Sequence, residues 1–153
     1  MADVKPVPEG YRTVTPYLCI NGASDAIDWY TKVFGAKELM RLAAPDGSLG
    51  HAEIEIGDSR LMLADEYPDI GFVSPKSLGG STAHLMVYVD DCDATVDAAV
   101  KAGARVVQPA ENKFYGDRSA HIEDPFGHNW NVSTHVEDVS EEEMAKRASE
   151  LDQ

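Results

Sequence analysis

Apolar and polar residues follow one another along the chain in an order that predicts a strand, a helix and three further strands. Residues 13–20 are rich in β-branched and aromatic side chains, which suits a strand. Ser24 or Asp25 can cap a helix whose apolar residues recur at helical spacing, and Gly35 can end it. Three more strands are predicted at about 37–44, 51–56 and 60–65. The pattern therefore predicts a βαβββ module over about residues 12–65.

The same order of elements returns in the second half of the chain. A strand is predicted at His84–Val89, Asp91 to Asp93 offer a cap, and a helix ends at Gly103. Three strands follow, at about 104–107, 118–123 and 128–134. Gly35 and Gly103 are offset by 68 residues, and the same offset aligns identical residues in both halves: Asp25 with Asp93, Ala52 with Ala120, Ile54 with Ile122, and Glu55 with Glu123. The chain is thus predicted to be a tandem repeat, with a second module at about 82–134.

Two paired modules of this kind predict an α+β fold. The two βαβββ modules are expected to form a curved mixed sheet with a ligand cleft and helices on its outer face, as one domain over residues 1–136. The segment 66–81, rich in Pro, Gly and Ser, is interpreted as a linker or a lid over a site. Ser140 and Glu143 form a capping-box pattern. They predict an acidic C-terminal helix within 137–153 that serves as a surface or dimer contact.

Strand residues alternate between two faces, and one face of the predicted sheet is consistently apolar. The opposite face carries the candidate ligand-binding residues: Tyr17, His51, Glu53, Glu55, His84, Tyr88, His121, Glu123 and Asn131. Polar faces of antiparallel sheets often only meet water, which is the simpler interpretation of any single residue in this set. As a set, these residues favour a ligand cleft.

Composition excludes several classes of function. The chain has 153 residues, 43% of them hydrophobic, and a formal net charge of −14. This charge argues against nucleic-acid binding, which needs clustered Lys and Arg. It favours cationic ligands, although acidic surfaces also simply promote solubility. We expect a cytoplasmic protein without membrane contact, because there is no long apolar run, no secretory signal pattern and no disulfide framework from only two cysteines.

Three stretches resemble the vicinal oxygen chelate (glyoxalase/bleomycin-resistance/dioxygenase-like) superfamily. They are DAIDWYTKVFG from Asp25, HLMVYVDD from His84, and DPFGHNW from Asp124. The resemblance covers about residues 12–134, and the short stretches at 16–18 and 134–138 are similar to its poorly characterised glyoxalase-like branch. It implies a U-shaped cleft built from paired modules, often completed across a homodimer. Whether the modules pair within one chain or are exchanged between two chains is left open.

The resemblance also implies where a metal ion would bind. Metal-dependent members use one side chain from the first and last strands of both modules, which fall here at about Thr15, Leu63, His84 and Asn131. Only His84 is a good ligand for a divalent transition metal, whereas catalytic zinc sites usually need three protein ligands. We therefore expect no metal at this quartet and no required cofactor. A divalent metal at a different set of residues on the polar face is the alternative.

Three functions follow from this pattern. The leading hypothesis is a metal-independent small-molecule-binding protein that sequesters a cationic or aromatic ligand, as bleomycin-resistance proteins do. The alternative is a lyase, isomerase or oxygenase that uses His84 with a non-standard metal, or an acid–base pair. His84, Glu53 and Glu123 are its candidate catalytic residues. The third is an interaction module with a vestigial cleft. The sequence does not choose between enzyme and binder.

Overall fold

The computed structural model describes residues 3–151, which contain eight strands and four helices. In chain order these are β1 (Tyr17–Ile20), α1 (Ala23–Phe34), β2 (Lys37–Ala43), β3 (Leu49–Ile56), β4 (Ser59–Asp65), α2 (Pro75–Leu78), β5 (His84–Tyr88), α3 (Cys92–Lys101), β6 (Arg105–Asn112), β7 (Asp117–Glu123), β8 (Asn129–His135) and α4 (Glu141–Leu151). The chain divides into two compact units, the first ending at Gly80 and the second beginning at Ser81.

Each unit contains one four-stranded mixed sheet. The strand order is β1-β4-β3-β2 in the first unit and β5-β8-β7-β6 in the second. In both sheets the first and last strands of the module pair in parallel, and the remaining neighbours are antiparallel. The predicted α+β class, the two tandem βαβββ modules and the C-terminal helix are therefore confirmed. Hydrogen bonding forms two four-stranded sheets, one in each unit.

The apolar face of each sheet is buried against its own helix. In the first unit α1 packs on its sheet, and Tyr30 of this helix is fully buried together with Ile54. In the second unit α3 packs on strands β6 to β8, where Ile122 and Val132 are fully buried. The alternation of buried and half-exposed residues along β3 and β7 confirms the predicted faces.

Helix caps were predicted correctly in the second unit and wrongly in the first. Asp91 accepts a hydrogen bond from the backbone nitrogen of Ala94, and Ser140 accepts one from Glu143. At α1, however, Gly22 occupies the cap position and offers no side chain. The predicted caps, Ser24 and Asp25, are replaced by Asp65 at the end of β4. Its carboxylate accepts hydrogen bonds from the backbone nitrogens of Gly22 and Ala23.

Strand pairing corrects the constant offset of 68 residues. That offset holds between β3 and β7, where Ala52 corresponds to Ala120. Ala52 pairs with Leu63, whereas Ala120 pairs with Val132, so the offset between β4 and β8 is 69 residues. The reason lies in the turns between these strands. Two residues separate the paired positions Ile56 and Ser59 in the first unit, whereas three separate Asp124 and His128, which are joined by a backbone hydrogen bond in the second. The counterpart of Asn131 in the first unit is consequently Met62.

The segment after β4 is part of the first unit and is more ordered than its composition predicts. A 3-10 turn at Pro68–Ile70 and the short helix α2 lie within it. Ser74 caps α2 and is fully buried, and its hydroxyl donates a hydrogen bond to Glu66. Across the described range 3–151, helices fall short of the length and apolar character that a membrane span requires.

Candidate functional site

A pocket of about 500 Å³ lies in the first unit, between its sheet and the segment that follows β4. Its walls are mostly apolar and aromatic. Tyr17 and Leu49 contribute from the sheet, and Tyr67, Ile70 and Phe72 contribute from the segment after β4. The Tyr17 and Phe72 rings meet edge to face with centroids 5.8 Å apart. This volume and lining are typical of small-molecule sites.

Two carboxylates give the pocket a fixed negative charge. Asp65 accepts three backbone hydrogen bonds of 2.7 to 3.0 Å, which hold it in place. Glu66 accepts hydrogen bonds from the hydroxyls of Ser74 and Ser77. These hydrogen bonds lower the pKa of Glu66, and the bond from Ser74 has a larger effect than the one from Ser77. Both carboxylates line the pocket, so it favours cationic or neutral ligands over anions.

Three of the predicted site residues form a hydrogen-bonded chain beside this pocket. The Tyr17 hydroxyl lies 2.6 Å from Nδ1 of His51, and Nε2 of His51 lies 3.3 Å from Oε1 of Glu53. Burial, together with the Glu53 charge, raises the pKa of Tyr17. The phenol is therefore protonated near neutral pH. Tyr17 is 46% exposed and also forms part of the pocket wall.

The far end of this chain is surrounded by residues that the sequence did not single out. The Tyr11 hydroxyl beside Glu53 lowers the pKa of that carboxyl, and His51 adds to the effect. The same hydroxyl is buried and makes no hydrogen bond of good geometry within residues 3–151. The Arg60 guanidinium lies 5.0 Å from the centre of the Tyr11 ring and 3.2 Å from Glu55. Glu55, one of the predicted ligand-binding residues, therefore forms an ion pair with Arg60.

In the second unit, His84 lies in a group of imidazoles and amides. The His84 and His121 rings are 4.5 Å apart, and Nδ1 of His84 is 3.4 Å from the amide oxygen of Asn131. Nε2 of His121 is 3.0 Å from the amide oxygen of Asn129. The sequence therefore identified three members of this group and missed Asn129.

A separate polar network surrounds Asp117, which is only 4% exposed. The Tyr88 hydroxyl donates a hydrogen bond of 3.0 Å to Asp117, and Nδ1 of His135 lies 2.8 Å from the same carboxylate. Nε2 of His135 contacts Asp138 at 2.7 Å. Both carboxylates raise the pKa of His135, and Asp117 has the larger effect. The sequence signal for this network was weak because Asp117 begins its strand next to a turn.

The predicted site residues thus fall into a first-unit group and a second-unit group. Glu123, predicted as a catalytic candidate, forms an ion pair with Arg105 at 2.5 Å. His84 and Glu53 lie in different units. That all nine residues line one cleft stays a prediction.

The side chains at the expected metal quartet do not fit a transition metal. Thr15 donates its hydroxyl to the backbone of Arg12, and Leu63 is fully buried on the helix-covered face. Met62, on the polar face in its place, offers only a thioether. Within residues 3–151, no three His, Cys, Asp or Glu side chains come close enough to hold an ion. The donor set therefore falls short of the three ligands that catalytic sites usually need.

Comparison with known proteins places these features in a family. The sequence model of the Glyoxalase/Bleomycin resistance protein/Dioxygenase superfamily matches residues 13–132. An uncharacterized protein from Mycobacterium bovis is 39% identical over 134 residues, which cover 86% of this chain and 88% of that protein. A lactoylglutathione lyase from Neisseria meningitidis is 27% identical over 118 residues, which cover 76% of this chain and 86% of the lyase.

Solved structures show the same fold. TioX from Micromonospora sp. ML1 superposes with a TM-score of 0.62 at 26% identity, covering 84% of this chain and 100% of TioX.

Proposed function

We propose a ligand-binding role for this chain, which belongs to the Glyoxalase/Bleomycin resistance protein/Dioxygenase superfamily. Membership confirms the resemblance carried by the three sequence stretches. Within the family, the chain binds a planar aromatic ligand, neutral or cationic, and needs no metal ion to do so. A homodimer and a cytoplasmic location belong to the same proposal.

The observation that carries this proposal is the pocket of the first unit. Tyr17, Tyr67 and Phe72 offer aromatic surfaces, which stack on aromatic ligands and attract cations to their ring faces. Asp65 and Glu66 add negative charge at the same pocket without needing to move, because other groups already hold them. A pocket that is organised before binding loses little conformational entropy when the ligand enters.

Metal independence is supported by the side chains that are present. Binding through aromatic walls and fixed carboxylates requires no bridging ion. The chemistry of Thr15, Met62 and Asn131 is too weak to complete a site around His84.

Titration with proflavine, a planar aromatic cation, tests this function. Fluorescence or calorimetric titration at about 0.15 M salt screens attraction to the general acidic surface. We expect saturable binding with one site per chain, unchanged by EDTA. Tyr67→Ala and Phe72→Ala are each expected to weaken binding about tenfold, since each ring contributes about 1 kcal/mol or more.

Leu78→Ala is the matched control. Leu78 lies in the same segment and is exposed, but it is not part of the pocket lining. Its removal is expected to leave the dissociation constant unchanged. The proposal would be contradicted if neither proflavine nor a neutral aromatic probe bound to the protein. Equal proflavine affinities of Tyr67→Ala, Phe72→Ala and Leu78→Ala would also contradict it, and so would binding that disappears when EDTA is added.

A further inference from the structure

We infer that Tyr17, His51 and Glu53 form a proton-transfer site on the wall of the first-unit pocket. The activity is the isomerisation, or the exchange of a C–H proton, of an aromatic carbonyl compound bound there. This inference rests on the proposed function for the existence of a ligand in the pocket. It goes beyond that function because it gives the pocket chemistry of its own.

The hydrogen-bond geometry assigns the position of each proton. Glu53 is ionised and can only accept, so Nε2 of His51 carries the proton between these two groups. Nδ1 is then an acceptor, and the 2.6 Å contact is a hydrogen bond donated by the Tyr17 hydroxyl. A base thus faces the phenol and a carboxylate orients the base. This is the arrangement by which enzymes activate a hydroxyl group.

The contact between Tyr17 and His51 crosses a whole strand of the sheet. Tyr17 lies on β1 and His51 on β3, with β4 between them. Met62 on β4 pairs with Tyr17 on one side and with Glu53 on the other. The Tyr17 side chain therefore leans diagonally over β4 to reach His51. Solvated polar faces do not require such a link, which indicates a specific interaction.

Three other polar side chains of the pocket are already committed to hydrogen bonds. Both oxygens of Asp65 accept backbone hydrogen bonds, and Glu66 accepts from two serine hydroxyls. The Ser48 hydroxyl donates to Asp46. Tyr17 differs from these groups because its hydroxyl is joined to a base that can take its proton. It is the pocket residue suited to acid–base chemistry.

The proposed step balances without a further reactant. The Tyr17 oxygen takes a proton from the carbon next to the substrate carbonyl, while its own proton passes to Nδ1 of His51. The electron pair of the broken C–H bond forms a C=C bond, and the carbonyl oxygen becomes an enolate oxygen. The imidazolium formed on His51 in the same step offsets this negative charge, so the net charge at the pocket does not change. Glu53 stabilises the resulting imidazolium. Tyr17 then returns a proton to the substrate and recovers its own from His51. Return to the same carbon gives proton exchange, and return to a conjugated carbon gives isomerisation.

The substrate class follows from the same lining. Aromatic walls favour a ring beside the carbonyl group, and the two carboxylates disfavour an anionic substrate. Phenylacetone is a neutral compound with these features. Loss of its α-proton in D₂O is followed directly by NMR.

Exchange measurements on intact protein test the inference. The wild type is expected to accelerate exchange of phenylacetone about 100-fold or more over buffer, the range of general acid–base catalysis. Tyr17→Phe keeps the ring and removes the hydroxyl, so it should abolish the acceleration and change proflavine affinity less than about threefold. Tyr115→Phe, which removes a hydroxyl in a turn of the second unit, should leave both measurements unchanged.

A second pair of variants separates chemistry from packing. His51→Ala is expected to lose the acceleration and to regain part of it when imidazole is added, which a purely structural role would not allow. Glu53→Gln should lower exchange about tenfold. Proflavine binding with no exchange, or exchange equal in wild type and Tyr17→Phe, would overturn the inference alone. If the wild type did not bind proflavine, that result would instead contradict the proposed function.

Discussion

The carboxylate of Asp65 caps helix α1 through Ala23, whose backbone nitrogen lies 2.9 Å from Oδ1. The same oxygen accepts from Gly22 at 3.0 Å, and Oδ2 accepts from the backbone nitrogen of Leu49 at 2.7 Å. One residue at the end of β4 therefore joins the start of α1 to the start of β3. Gly22 makes this possible because a glycine in the left-handed region leaves the helix N-terminus open to a distant side chain.

Removal of this charge is expected to destabilise the protein. Asp65→Asn keeps the shape of the side chain but weakens its hydrogen bonds to three backbone N–H groups. We expect a loss of about 1–2 kcal/mol in the free energy of unfolding, the range for helix caps and charge-assisted bonds. Urea denaturation followed by circular dichroism measures it. Asp97→Asn, an exposed site on α3, should cost less than about 0.5 kcal/mol; equal costs would contradict the role of Asp65.

Adjacent residues on β4 test which face is buried. Leu63 is fully buried beneath the helix-covered face, whereas Met62 lies half-buried on the polar face. Leu63→Ala is expected to cost about 2–5 kcal/mol, and Met62→Ala clearly less, because only the first leaves a cavity in the core. The same urea experiment measures both. A larger cost at Met62 would contradict the register in which β4 pairs with β3.

Gly116 holds the C-terminal segment in place through its lack of a side chain. Its φ is +103°, and a Cβ atom there would collide with the carbonyl of Glu137. Gly79 also has a positive φ, +88°, but a Cβ atom at that position meets open space. Both alanine variants incur backbone strain of about 1–2 kcal/mol.

We expect Gly116→Ala to cost at least about 1 kcal/mol more than Gly79→Ala, because it adds a collision to the strain. Thermal unfolding at a single protein concentration compares the two. Matching midpoints in the two variants would mean that the segment around Glu137 shifts without cost.

His135 makes stability depend on pH in a predictable direction. Asp117 and Asp138 raise its pKa in the folded protein, so its contribution is fully present below about pH 6.5, the unfolded value. The contribution is lost as pH rises through the raised folded pKa. His135→Gln should therefore destabilise the protein more at pH 6 than at pH 9, as measured by urea unfolding at both values. Asp138→Asn should reduce this difference, and a greater effect of His135→Gln at pH 9 would refute the assignment.

Local patterns of the sequence were sufficient for the fold. Gly35 caps the end of α1 as expected, whereas α3 ends at Lys101 with Ala102 as its cap, and Gly103 follows with a positive φ. The alternation at Ala52 and Ile54 recurs at Ala120 and Ile122 on buried faces. These features depend on side-chain period and on a few turn residues, which a sequence displays directly. The register of β8 could not be read in this way, since one additional residue in the preceding turn changed the counterpart of Asn131 from Leu63 to Met62.

The candidate site was predicted only in part. Tyr17, His51 and Glu53 were placed on one face from alternation alone, and the structure joins them by hydrogen bonds. The lining of the pocket beside them was not predicted, because Tyr67 and Phe72 belong to a segment interpreted only as either a linker or a lid over a site. Composition rich in Pro, Gly and Ser indicates turns, but it does not show what those turns pack against.

The sequence by itself determined the order of elements, the tandem repeat, the buried faces and the acidic charge. These properties arise from the periodicity of neighbouring residues and from composition. Only the tertiary structure decided that Asp65 caps a helix 42 positions earlier in the chain, and that Tyr17 reaches His51 across β4. Such contacts depend on strand order and on the length of turns. Distances between side chains far apart in sequence are set only when the whole sheet has formed.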